Sequence, residues 1–561
     1  MLCTQKTSRL ALALLATTML TQPGPARAAP GDALGPEFQV NTFTLGDQVL
    51  PAVAMDADGH FVVAWEGYGS SELKGIFAKR FDATGVAQGS EFLVNSFTTN
   101  NQNWSAIAMD ADGDFVVAWE SRDQDGSLYG IFAQRFDAAG VAQGSEVQVN
   151  TFSTSAQRLP AVAMDTDGDF VVAWTSYEQD GSDWGVFAQR YDAAGVAQGP
   201  EFQVNTFTTG TQWFPAVAMD ADGDFVVAWE GYGSGEANGI FAQRYDAAGA
   251  AQGPEFQVNT FTAFDQAFPA VAMDADGDFV VAWQSPQDGS FRGVFAQRYD
   301  AAGVAQGPEF QVNTFTTGDQ ADPAVAMDAD GDLVVAWASR DQDGSLYGIF
   351  AQRYDAVGVA QGSEFQANTF TTDHQAVPAV AMDADGDFVV AWASAFQDDS
   401  LDGVFAQRYD GVERVEGDFD GDGNADLLWR NVSTGNTVIW LMEGTAKLAA
   451  QPIGVVPPVW QVVATGDFNG DGKADILWRH TGNGSTLVWQ MDGFTKVAAV
   501  GIGNPPLVWV VEKLRDTNGD GISDIFWRNS TTGRTLVWQM LGFTKVATGG
   551  TGGVNAVWEV Q

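Results

Sequence analysis

Few of the residues on which catalysis and covalent cross-linking usually rest are present. One cysteine, Cys3, and three histidines stand in 561 residues. Cys3 falls in an N-terminal stretch with the marks of a removable secretory signal. Lys6 and Arg9 precede an apolar run over residues 10–20, and the small-residue site Ala26-Arg27-Ala28 follows. A mature chain starting near Ala29 has no thiol and no disulfide, so its core, repeat stacking or bound metal must hold it together. The apolar run is too short to span a bilayer and no later segment comes close, so no transmembrane segment is expected. Cations are scarce as well: 27 Lys and Arg face 72 Asp and Glu, for a net charge of −45. Such a surface repels nucleic acid and anionic lipid and attracts cations. Solubility or salt adaptation is the plain reading of it, and calcium binding the sharper one. A secreted location (extracellular, cell-surface or periplasmic) is expected, with no nucleic-acid partner.

What the chain has in abundance is repetition. The sentence Pro51-AVAMDADGHFVVA-Trp65 returns with copies ending at Trp119, Trp174, Trp229, Trp283, Trp337 and Trp392, a spacing of 54 or 55 residues. Each copy is an apolar run, an Asp-x-Asp-Gly turn in which Gly supplies positive φ, and a second run apolar at every position. That is a hairpin whose second strand is covered on both faces. Glu37-FQVNTF-Thr44 alternates in the manner of a half-exposed strand, and Gly75-IFAKRF-Asp82 makes another. Four strands per repeat is the content of a propeller blade. The FQVN-type strand opens the chain, and the seventh copy ends at Val404-FAQRY-Asp410 where another would follow. The fold class expected is therefore all-β, a seven-bladed β-propeller over 37–410, after a signal peptide at 1–28 and a spacer at 29–36. Segment 37–43 should pair with 404–410 to close the ring; a superhelical stack is the competing geometry. The hairpins resemble NHL- and TolB-type propeller repeats at the level of strand and turn, which implies fold and no activity.

From about residue 411 a 49-residue unit appears three times, and it carries the strongest chemical signal. Asp418, Asp420, Asp422 and Asp426 stand at positions 1, 3, 5 and 9 of a loop. Asp467, Asn469, Asp471 and Asp475 repeat the pattern, as do Asp516, Asn518, Asp520 and Asp524. Calcium takes six to eight hard oxygens, and alternate residues of a tight loop aim three side chains at one point. A main-chain carbonyl at position 7 would add a fourth, from Asn424, Lys473 or Ile522. Position 12 is Trp429, Trp478 or Trp527 rather than the Glu of an EF-hand. The loops resemble the calcium loops of FG-GAP (VCBS-type) repeats, found in integrin α-chain propellers, over about 145 residues. The resemblance implies that the side chains at positions 1, 3, 5 and 9 bind Ca2+ between two strands, and that 411–561 holds three FG-GAP-like β-repeats. How three units close stays open: a partial propeller, a three-fold β-domain, or an assembly completed by another chain. The alternative to metal is three solvated acidic turns.

In the propeller the Asp-x-Asp-Gly turns lack the ninth-position acid, since that place is Ala118 in the second copy. They read as structural turns on a solvated acidic face, with weak cation binding as the alternative. The Arg80, Arg135 and Arg190 series, identical in place, reads as structural pairing. Copies differ on the opposite face, in loops such as Glu66-GYGSSELKG and Thr175-SYEQDGSDWG. Trp104, Trp184 and Trp213 are the tryptophans left over from both repeat patterns, and all three lie in those variable loops. Exposed aromatics beside Asp and Gln suit sugar stacking or a protein hot spot; capping of their own blade is the plain alternative. No nucleophile motif is present, and nearly identical blades argue against one singular active site. The expected role is a secreted calcium-binding protein that binds or adheres to an extracellular protein or glycan ligand. A lectin is the alternative among binding roles, and a carbohydrate-active hydrolase or lyase the one from another class. The chain is expected not to be an enzyme.

Overall fold

The computed structural model describes residues 33–69, 73–233, 238–289, 291–384, 386–398, 400–409, 411, 417–420, 425–443, 446–469, 473–515 and 522–553. The expected signal at 1–28 and residues 29–32 of the expected spacer lie outside them. Among the described residues no helix is long and apolar enough to cross a membrane. The repeat builds seven four-stranded antiparallel sheets. The fourth runs Gln212–Met219, Phe225–Tyr232, Asn238–Tyr245 and Phe256–Gln257 from the inner to the outer strand. In the seventh sheet the outermost place is taken by Phe38–Gln39, which pairs with Asp402–Tyr409 at the other end of the repeat array. The inner strand Gln48–Met55 packs against both Gln102–Met109 and Gln375–Met382, so the ring closes and the superhelical stack is excluded.

The apolar second strands explain why seven alike sheets stay together. Phe61, Val62, Val63, Ala64 and Trp65 are all buried. Val62 and Ala64 join one core cluster with Phe115, Val117 and Trp119 of the next blade, while Phe61, Val63 and Trp65 join Val389 and Ala391 of the previous one. Both faces of each sheet are thus inside. The arginine series ties neighbouring blades, though through carbonyls rather than acids: Arg80 donates to Ala139 O at 2.6 Å and Arg190 to Ala248 O at 2.6 Å. At the turn Gly113 (φ +86°) an added Cβ would meet Asp56 Oδ2 of the previous blade at 3.1 Å. Glycine is needed there for both conformation and space.

The C-terminal units form three further sheets. The second runs Trp460–Gly466, Asp475–His480, Thr486–Asp492 and Thr495–Gly503. One core cluster joins Phe419 and Ile439 to Ile476 and Trp478, and another joins Phe468 and Leu477 to Ile525 and Trp527. Successive units therefore stack face on face. Arg430 lies 5.2 Å from the Trp478 ring centroid, and Arg479 lies 4.8 Å from that of Trp527.

Candidate ligand face and acidic loops

At the end of the inner strands opposite the Asp turns, each blade breaks its ladder by a register shift. The bulged residue has positive φ: Leu50, Trp104, Leu159, Phe214, Phe268, Asp322 and Val377, between 49° and 55°. Bulges re-aim side chains, so one tier at the end of the ring carries six apolar groups and one carboxylate. The second strand of the preceding blade fixes several of these bulges. Glu66 Oε2 accepts from Trp104 N at 3.1 Å, Glu120 Oε2 from Leu159 N at 3.2 Å, and Glu230 Oε2 from Phe268 N at 3.0 Å. Gln284 Oε1 does the same for Asp322 N at 3.3 Å.

The three tryptophans singled out in the sequence come together. Trp184 and Trp213 lie with ring centroids 4.6 Å apart at 78°, and Tyr177 extends the pair at 5.1 Å from Trp184. Trp213 adjoins Phe214 at 5.6 Å, and Phe214 touches Phe268 at 4.4 Å and Trp104 at 6.3 Å. Trp104 and Phe214 belong to the second and fourth blades, so their rings meet across the third, whose Leu159 is buried. Phe214 and Phe268 were not singled out from the sequence. Their signal was the variable residue before Pro215 and Pro269, read only where it was tryptophan.

The glutamates under this tier differ in charge balance. Glu66 meets Lys74 Nζ at 2.7 Å, and Glu120 meets Arg158 at 2.8 Å. Among the described residues no cation pairs with Glu230, and burial lifts its carboxyl to about 7, helped by Asp265 and opposed by the Phe268 N–H and Arg292. Burial also raises Asp322, with Arg292 opposing. A carboxyl near 7 can hold or release a proton at neutral pH, and an unpaired anion beside aromatic rings can receive a donor or a cation.

In the C-terminal loops Asp418, Asp420 and Asp426 bring carboxylate oxygens within 4.8 Å of one another. Asp426 accepts Phe419 N at 2.9 Å on one oxygen and Met442 N at 2.8 Å on the other, which locks the ninth position between two strands. Asp475 is held the same way by Phe468 N and Met491 N, and Asp524 accepts Met540 N at 2.7 Å. Asp467 Oδ1 accepts from Asn469 N at 3.0 Å, and among the described residues the buried acceptor Asn469 Oδ1 has no partner. A hard cation between positions 1, 3 and 9 would satisfy that oxygen, so the donor set fits calcium. Lys473 pairs with Asp492 at 2.9 Å, and Ile522 is buried. Asp422, Asn424, Asp471, Asp516, Asn518 and Asp520 lie outside the described residues. In the propeller turns, by contrast, Asp110 Oδ1 accepts the N–H groups of Asp112 and Asp114, the work of a turn-former.

Fold and sites together define an all-β propeller followed by acidic-loop repeats. Residues 418–478 and 467–527 match the family described as FG-GAP-like repeat. No curated protein matches the sequence. Among solved structures, a protein of unknown function from Dyadobacter fermentans is similar at 12% identity, over 67% of this chain and 98% of that one, with a TM-score of 0.42. The α-L-arabinofuranosidase from Fusarium graminearum is similar at 12% identity over 67% and 98%, with a TM-score of 0.38. The β-propeller domain of the Trilobed protease from Pyrococcus furiosus is similar at 10% identity over 65% and 94%, also at 0.38. The expectation that the chain is not an enzyme is corrected here. Similar structures include glycoside hydrolases, an endo-arabinase and a sialidase among them. Alike blades still carry singular groups, as Glu230 and Asp322 illustrate.

Proposed function

We propose that the protein is exported and acts as a calcium-binding β-propeller that holds an extracellular protein or glycan on its loop face, with residues 37–410 as the propeller and 411–561 as three calcium-binding repeats. One observation carries the reading: Trp104, Trp184 and Trp213, the tryptophans outside both repeat patterns, join Tyr177, Phe214 and Phe268 in one chain of rings. Such a surface offers flat apolar faces beside polar loops, as a sugar ring or a protein hot spot requires. In the repeats the ion would be held by the side chains at positions 1, 3, 5 and 9 and the position-7 carbonyls of Asn424, Lys473 and Ile522. The family match of residues 418–527 supports that part, as does Asn469 Oδ1, which has no partner among the described residues. Calcium there would neutralise clustered carboxylates and stiffen the stack. A glycan array beside a pull-down from the producer's surroundings tests the reading. Retention of a glycan identifies a lectin, capture of a protein an adhesin, and neither on the intact loop face refutes it.

A second reading, a carbohydrate-active hydrolase or lyase, is favoured by Glu230, whose carboxyl near 7 suits proton transfer at neutral pH. Its test is release of reducing sugar from a polysaccharide panel. Loss of that release in Glu230→Gln supports this reading, and no release from any substrate counts against it.

A further inference from the structure

Two blades show what a glutamate at this position is matched with. In the first, the Lys74 ammonium lies 2.7 Å from Glu66 Oε1 and 5.8 Å from the centroid of the Tyr68 ring. In the second, the guanidinium of Arg158, reaching over from the third blade, lies 2.8 Å from Glu120 Oε1 and 4.7 Å from the centroid of the Tyr129 ring. Each buried carboxylate thus comes with a basic side chain that is also seated on an aromatic face. Charge and π-face act on the same cation.

The fourth blade keeps the glutamate and tyrosine of the first and loses its lysine. Tyr232 and Glu230 hold the ladder places of Tyr68 and Glu66. Gly210 lies against the Tyr232 ring as Gly46 lies against Tyr68, so that a Cβ on either would come within 2.9 Å of the ring. The place of Lys74, opposite the tyrosine, is taken by Asn238. Among the described residues the buried Asn238 Oδ1 has no partner. Its backbone N–H donates to Asp265 Oδ1 at 3.0 Å, where Lys74 N is offered the neutral Asn101 Oδ1 at 3.4 Å. Blade four has therefore lost a cation and gained an acid around a carboxylate of the same kind. Tyr232 is 39% exposed. Arg292 acts on Glu230 from a distance, and among the described residues no ion pair joins them. Glu230 accepts the Phe268 N–H and Asp265 the Asn238 N–H, but among the described residues no basic side chain pairs with either carboxylate.

We propose that the fourth blade takes a lysine or arginine side chain of a polypeptide partner into the place that Lys74 fills in the first, with the cation against Glu230 and Asn238 Oδ1 and over the Tyr232 ring. The inference rests on the reading of this loop face as the ligand face. It commits to a basic side chain because Lys74 and Arg158 are the groups that satisfy the equivalent glutamates, and the net charge of −45 favours approach of basic partners.

The test is isothermal titration of the full chain, in calcium, with three probes: acetyl-Gly-Lys-Gly-amide, the same peptide with an acetylated Nε, and n-butylammonium. The charged peptide should bind and the acetylated one should not. Glu230→Gln should weaken binding by about tenfold or more, the order expected on truncating one side of a desolvated charge pair. Asn238→Lys copies the first blade, so it should fold, melt higher than the parent and abolish binding by filling the site from within. Equal binding of the acetylated peptide, unchanged binding in Asn238→Lys, or no binding of the charged peptide would each overturn the inference. Binding of n-butylammonium without the peptide would overturn the polypeptide source. If the lysine peptide fails while another ligand binds in a manner that depends on Trp184 and Trp213, only this inference falls and the loop face keeps its role.

Discussion

Phe38 stands opposite Ala406 in the ladder, joining residues more than 360 positions apart in one blade. Val40 N donates to Val404 O at 2.8 Å and Asn41 Oδ1 accepts from Val404 N at 2.8 Å, with Val40 fully buried. Deleting residues 37–44 removes these contacts and bares a sheet edge. The loss should be roughly 3–6 kcal/mol, from one or two apolar side chains and several hydrogen bonds. A lower denaturant midpoint and self-association on a sizing column are expected. A monomer with the parent's midpoint would contradict the closure.

Glu230 should leave a mark on stability against pH. Its carboxyl is raised from 4.5 to about 7 by burial, so between those values the folded chain keeps a proton that the unfolded chain has lost. Stability then falls as pH rises through that window and levels off above 7. The full shift corresponds to about 3 kcal/mol, and partial exposure reduces it to the order of 1–2 kcal/mol. Asp274, raised to about 6 by burial, acts in the same sense. Urea unfolding at pH 5 and pH 8 should show a smaller difference in Glu230→Gln than in the parent. An unchanged difference would mean that Glu230 ionises normally.

The acidic loops should depend on calcium. At about 1 mM calcium a site with Kd near 10⁻⁴ M would stabilise the native state by roughly 1.4 kcal/mol. Chelation should expose 417–553 to protease before the propeller. Asp420→Ala and Asn469→Ala should each lower the bound calcium by about one ion per chain. Equal protection in chelator, or metal content unaffected by either change, would count against calcium.

Gly113→Ala should destabilise by about 2 kcal/mol or more, since φ +86° and the nearness of Asp56 Oδ2 act together. Thermal melting checks it, and a loss no greater than that of an ordinary surface change would show that the turn can shift.

The ring was legible because its determinants are local and repeated. Phe61 to Trp65 is apolar at every position, and the displaced FQVN strand announces its own partner. The chain of aromatic rings was legible only in part. Trp104 and Trp213 are far apart in sequence, and nothing local says that a bulge at Phe214 bridges them. Glu230 was missed although Glu66-GYGSSELKG and Glu230-GYGSGEANG can be laid side by side; that Lys74 reaches Glu66 depends on the pairing of Tyr68 with Lys74 across the hairpin. The acidic pattern of the loops at Asp418 and Asp467 was legible at once, because its residues are sequence neighbours. The grip of Met442 N on Asp426 is long-range and was not visible.

The most direct measurement is ligand binding by the chain in which Trp104, Trp184 and Trp213 are all replaced by alanine, followed by titration against the ligand that the array or pull-down identifies. The far-UV spectrum should match the parent's, because each blade keeps its own buried tryptophan, and affinity should fall at least about a hundredfold, the size expected when several aromatic anchors are lost together. Binding that survives at the parent's affinity in a correctly folded triple variant would contradict the assignment of the loop face.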